Sequence, residues 1–203
     1  MPRMMKTHKA HTLTVMALCS SVMLTACNPV YRGGGEPLAQ MTFEHVKPFS
    51  IYVASYNPIE YPQAETLSLP QGYVANPADL IFDYLGSRYQ ATGSQGKLRI
   101  EIDDITVKHT IEQSSNAVGA ALGVAKKDKY TVHAALKIVA LGTSRYDRKE
   151  VTLKAHRTVT VSEHISLSER ENAQMQALDN LLDDLDVTIK RLLMQEFYLV
   201  DAN

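Results

Sequence analysis

Three runs of alternating polarity constrain this chain more than any other feature. Leu98, Ile100 and Ile102 alternate with charged neighbours, Asp103-Asp104 shifts the phase, and Ile105, Val107 and Ile111 resume it. Tyr130, Val132, Ala134, Leu136 and Ile138 repeat the pattern within residues 130–141. Val151, Leu153, Ala155, Val159 and Val161 repeat it again, opposite Thr152, Lys154, His156, Thr158 and Thr160. A period of two puts the apolar side chains on one face of a strand, so each run reads as a long, half-buried strand. The phase slip predicts a bulge at Asp103-Asp104. Residues 142–149 are polar enough for a hairpin loop, and the order of the runs favours a meander.

Two segments switch to helical spacing. Asn76-Pro77-Ala78-Asp79 is a helix start: Asn76 can accept a bond from an orphan N–H, Pro77 fits the first position, and Asp79 favours the positive dipole end. Leu80, Ile81, Tyr84, Leu85 and Tyr89 follow, and Gly93 closes a helix of about four turns. Near the C-terminus, Ser168 and Glu171 form a capping-box pattern. Met175, Leu178, Leu182, Leu185, Ile189 and Leu192 then step by three and four, widened by Leu181 and Leu193. That stripe predicts a helix docked onto the sheet. Upstream, Phe49, Ile51 and Val53 alternate as a first strand, and Pro58, Pro62 and Pro70 predict an irregular loop after it.

The expected fold is therefore α+β, a two-layer sandwich in the order β-α-β-β-β-α. About four strands form an antiparallel or mixed sheet with two helices on one face. The other face carries Thr, Lys and His and is left for water or a partner.

The front of the chain has a different character. Arg3, Lys6 and Lys9 are unopposed by any acid, and residues 13–24 are apolar, within the ~7–15 residues of a secretory core and too short to span a bilayer. The segment ends in Leu24-Thr25-Ala26-Cys27, with small residues before a cut and a thiol directly after it. This resembles the lipobox of bacterial lipoproteins. The resemblance implies that residues 1–26 are a signal peptide cleaved after Ala26. Cys27 is then the mature N-terminus, carrying a diacylglyceryl thioether and an N-acyl chain such as palmitate. Each buried methylene contributes about 0.8 kcal/mol, so two or three such chains hold a protein on a membrane without a spanning helix. Asp after the cysteine retains lipoproteins in the inner membrane in enterobacterial sorting; by the same resemblance Asn28 implies the outer membrane, facing the periplasm. Residues 27–47, with Pro29, Gly33-Gly34-Gly35 and Pro37, read as the lipidated terminus and a flexible tether. Residues 48–200 read as one periplasmic domain.

Composition narrows the function classes. The whole chain has 21 basic and 22 acidic residues and is 45% hydrophobic, which supports neither disorder nor a polybasic nucleic-acid binder. Cleavage removes three basic residues and no acid, moving the net charge from −1 to −4. Cys19 leaves with the signal and Cys27 is acylated, so no disulfide is expected.

Residues 48–200 are similar to the small envelope lipoproteins related to LptE and to the YajG and PqiC groups. The likeness rests on the lipobox, the element order, the strand at Tyr130-Thr131-Val132-His133-Ala134, and the passage through Ile165-Ser166-Leu167-Ser168 into a long acidic helix. It implies a non-catalytic accessory role in outer-membrane assembly or lipid traffic, beside another envelope protein. It implies no catalytic residue.

Candidate chemistry is sparse. His133 and His156 fall on the polar face of two strands expected to be neighbours, where two imidazoles and a carboxylate would make a metal site; no spacing supplies the third ligand, so no metal and no cofactor beyond the acyl chains is expected. His109 is in phase with Ile105 and Val107 and is expected to be buried. Asp103-Asp104 and Asp183-Asp184 diverge by strand and helix geometry, and no nucleophile elbow, phosphate loop or zincin motif occurs. A periplasmic enzyme, or a small-ligand or lipid carrier with a site between helices and sheet, remains the alternative. Ala117, Val118, Gly119, Leu122, Gly123 and Val124 belong to an apolar run followed by Lys126, Lys127 and Lys129. This segment fits a loop over the sheet edge, a membrane-touching tip, or a partner-binding loop. For function, the expectation is that it docks an envelope protein together with the polar sheet face.

Overall fold

The computed structural model describes residues 41–113 and 126–200. Among these residues six strands and two α-helices follow in order: β1 (Phe49–Ile51), β2 (Ser55–Ile59), α1 (Pro77–Arg88), β3 (Tyr89–Ala91), β4 (Lys97–Glu112), β5 (Lys127–Leu141), β6 (Arg148–Ser162) and α2 (Leu167–Gln195), with a single 3-10 turn at Ala64–Thr66. A four-stranded sheet has the order β2-β4-β5-β6, and β1 and β3 form a separate parallel pair. β2 runs parallel to β4, while β4, β5 and β6 form the antiparallel meander. The α+β class, the mixed sheet and the two helices agree with the sequence.

The inner face of the sheet is the apolar half of each alternating run. Leu98, Ile100, Ile102, Ile105 and Val107 of β4 join Val132, Ala134, Leu136, Ile138 and Ala140 of β5 and Leu153 of β6 in one buried cluster. Against β2 and β4 lies α1, contributing Ala78, Ile81 and Leu85; α2 lies against β6 and contributes Leu178, Leu181, Leu182, Leu185, Ile189 and Leu193. The register of β4 against β5 shifts between Ile102 and Asp104, so the bulge falls where the phase slips.

Four local expectations need correction. Pro58 lies within β2, where the proline-rich stretch predicts an irregular loop. The strand survives because it is the edge of the sheet, where a missing N–H costs no ladder bond on the open side. Helix α1 stops at Arg88, after 12 residues, and Tyr89 already opens β3. Gly93 instead permits two backbones to touch: a Cβ there would sit 2.6 Å from the Tyr52 carbonyl carbon and 2.7 Å from the Val53 nitrogen. The capping box of α2 is formed by Ser166 and Glu169, two residues before the expected pair. The sequence carries two overlapping Ser-x-x-Glu patterns, and the chain uses the first because the turn closed by Ile165 N–H on the Ser162 carbonyl ends at that point. His109 is open to solvent: it lies in the last five residues of β4, which are all exposed.

Candidate functional site

The outer face of β4, β5 and β6 is built from the polar half of the same alternation, and its side chains stand in rows across the strands. Thr106, His133 and His156 make one row; Asp104, Ala135 and Lys154 make the next; Lys108, Thr131 and Thr158 lie on the other side. The two imidazoles are directly opposed, with ring centroids 5.5 Å apart and planes tilted by 25°. The Thr131 and Thr158 hydroxyls hydrogen-bond at 2.9 Å. Towards the hairpin, Glu101 accepts from Arg99 at 3.1 Å and from Lys137 at 3.0 Å, while Arg148 reaches Glu150 at 2.7 Å. An open depression of about 480 Å³ lies on this face, lined by Asp103, Asp104, Thr106, Lys108, His133 and His156 among others.

The bulge shapes this depression. Consecutive residues in a regular strand face opposite ways, yet Asp103 and Asp104 both line it, because a bulge sets two residues opposite one on the neighbour. No hydrogen bond joins the two carboxyl groups. Among the described residues, no group of three or more His, Cys, Asp or Glu side chains is placed to hold a metal ion. What the face offers chemically is a preformed array of donors, acceptors and mixed charge on a rigid meander, which suits recognition.

His109 belongs to the other side of the sheet. Its Nε2 lies 2.8 Å from Asp128 Oδ1, its ring stacks on Tyr130 with centroids 4.7 Å apart, and Asp128 also pairs with Arg170 of α2 at 3.1 Å. Asp184 pairs with Arg157 at 2.6 Å. These contacts tie β4, β5 and β6 to α2.

Among the described residues, the most buried charged group escapes sequence reasoning. Asp186 on α2 is 8% exposed. Its Oδ1 accepts from Arg88 Nε at 3.0 Å and from the Tyr89 hydroxyl at 2.9 Å, and its Oδ2 accepts from Lys190 at 2.5 Å. Arg88 also donates through Nη1 to the Lys47 carbonyl, and the Arg88 and Lys190 cations both sit over the Phe49 ring. Burial pushes the Asp186 carboxyl upward, but bonds from Lys190, Arg88 and Tyr89 outweigh it and hold the group below its ordinary value. Burial first, then the Asp186 charge, raises the Tyr89 phenol. A carboxylate held by these three donors is a lock between α1 and α2. Its sequence signal was a carboxylate in phase with Leu182 and Ile189 on the apolar stripe. Gln174 stands on the same stripe, fully buried, with its side-chain carbonyl accepting from Val74 N–H at 2.9 Å.

The other expected site residues lie outside the described residues: Ala26, Cys27 and Asn28 at the front, and Ala117, Val118, Gly119, Leu122, Gly123 and Val124 in the connection between β4 and β5. Among the described residues no helix is long and apolar enough to cross a membrane.

No family model matches the chain, and no curated protein matches it. Solved structures resemble it, among them the following two. A minor lipoprotein from Acinetobacter baumannii has a TM-score of 0.33 and 12% identity, covering 70% of this chain and 92% of that one. The rare lipoprotein B from Shewanella oneidensis has a TM-score of 0.31 and 11% identity, covering 68% and 98%.

Proposed function

We propose that this chain is an envelope lipoprotein, exported behind residues 1–26, cut after Ala26 and held on a membrane by acyl chains on Cys27. The observation that carries the reading is the run from unopposed Arg3, Lys6 and Lys9, through apolar residues 13–24, to Leu24-Thr25-Ala26-Cys27. Asn28 supports the outer membrane as the destination. The folded body acts as a non-catalytic accessory that binds another envelope protein, in outer-membrane assembly or lipid traffic.

The outer sheet face supports a binding role. It presents exposed polar side chains on strands whose opposite face carries the buried core cluster, so its geometry is set before any partner arrives. In this proposal the apolar run of residues 117–125 docks alongside it. Fractionation of cells tests the anchor. The unaltered chain should sediment with membranes, while Cys27→Ser should leave the mature body in the soluble fraction or stall it unprocessed. An unaltered chain found in the soluble fraction would overturn the proposal.

A further inference from the structure

The four-stranded sheet ends on β6, and among the described residues no strand pairs with its outer edge. β6 is fifteen residues long and contains neither Pro nor Gly. An edge of that length presents a row of N–H and C=O groups that accepts another strand unless bulges, prolines or charges blunt it. Charges are the only such device here, and most are tied back to their own chain. Lys149 donates to Glu196, and Arg157 to Asp184. Lys154 stands exposed in mid-strand.

We propose that β6 pairs antiparallel with β6 of a second copy of this chain, about a two-fold axis through Thr152. The charge pattern selects this register. With the axis at Thr152, Lys154 of each copy stands opposite Glu150 of the other, giving two opposite-charge pairs on the outer face. Val151 then meets Leu153, and Asp147 meets Arg157. An axis at Lys154 sets that lysine against itself, one at Leu153 sets Arg157 against Lys149, and one at Val151 sets Lys154 against Arg148. Cross-strand pairs of opposite charge stabilise a sheet and like pairs destabilise it, so of these four registers the one at Thr152 is the one the side chains favour. Its cost is Arg148 opposite His156.

The flank of α2 gives a second reason for a second copy. A groove of about 400 Å³ runs along the open edge, between Lys154, Ala155 and His156 of β6 and Asp183, Asp184, Val187 and Thr188 of α2. Val187 is 67% exposed at its rim. Continuing the sheet through a two-fold axis brings the equivalent flank of the second α2 alongside, which covers Val187 in both copies. A closed isologous interface results, with no further edge at β6 left to extend.

Cysteine crosslinking of the full chain tests the register. Thr152→Cys places two thiols opposite each other on the axis and should yield a disulfide-linked dimer as the main species under mild oxidation. Thr160→Cys, on the same strand but displaced from the axis, should stay at the background of the unsubstituted chain, which carries Cys19 and Cys27. Lys154→Glu or Glu150→Lys in the Thr152→Cys chain should cut the yield about ten-fold, since two symmetric pairs are lost together, and the two combined should restore it. Sedimentation of cysteine-unaltered chains in detergent gives an independent reading: a dimer for the unaltered chain, a monomer for Lys154→Glu, and a dimer again for the double reversal. A Thr152→Cys yield at background, an equal yield from Thr160→Cys, or charge reversals that fail to rescue each other would overturn the pairing. None of these outcomes depends on whether Cys27 is acylated.

Discussion

Arg88 and Asp186 hold the two helices together across 98 residues of sequence, with Nε 3.0 Å from Oδ1 and both side chains only 12% exposed. Removing the carboxylate leaves Arg88 and Lys190 without their counter-charge in a largely desolvated place. Asp186→Asn should cost about 3 kcal/mol, read as a lower urea midpoint. The sign of the pH dependence follows. A group whose folded pKa is depressed contributes stability that is complete above its ordinary value, 3.8 here, and is lost as pH falls through the folded value beneath it. The unaltered chain should therefore lose stability more steeply than Asp186→Asn below about pH 4. Parallel acid limbs for the two would show that the carboxylate is not the lock.

Gly93 is required for contact between backbones. Its N–H donates to the Val53 carbonyl at 3.0 Å, and there is no room for a Cβ against Tyr52 and Val53. Gly93→Ala should destabilise by about 1–3 kcal/mol through a forced shift of the segment joining β1 to β2. Gly86→Ala is the control, since its added methyl meets nothing within 4 Å. Thermal melts of the two should separate clearly, with Gly93→Ala the lower.

The two overlapping Ser-x-x-Glu patterns make a sharper test. Ser166 Oγ accepts from Glu169 N–H at 3.2 Å, and Glu169 accepts from Ser166 N–H at 2.9 Å. Ser166→Ala should cost about 1 kcal/mol and Ser168→Ala close to nothing. Chemical denaturation decides it, and the reverse order would move the helix start to the later serine.

Photocrosslinkers test the binding face. Placed at His133, Thr158 and residue 122 in intact envelopes, they should capture the same envelope protein, whereas one at Val187 should not. Deleting residues 117–125 should leave the far-ultraviolet circular dichroism unchanged and abolish co-purification of that protein. Unchanged co-purification would remove the loop from the account.

Much of the fold was legible because burial imposes a period. Ile100, Ile138 and Leu181 are all fully buried, and each falls on an alternating or helical stripe. The bulge was legible for the same reason, since it interrupts that period. Pro58 misled because proline forbids a central strand but tolerates an edge, and edge position depends on which strands pair far along the chain. Tyr89 misled because it continues the helical stripe while serving a different element. The Asp186 lock joins residues from α1, β3 and α2, and no local spacing encodes such a meeting. His133 and His156 were placed on one face by alternation, but their direct opposition is a matter of register between β5 and β6.

The acylated cysteine is the central claim, and the mass of the mature protein tests it most directly. Purified from membranes in detergent, the chain should lack residues 1–26 and begin at Cys27 with a mass increment of two or three fatty acyl chains and glycerol on that residue. A chain that retains residues 1–26, or one that begins elsewhere with Cys27 unmodified, would contradict the account.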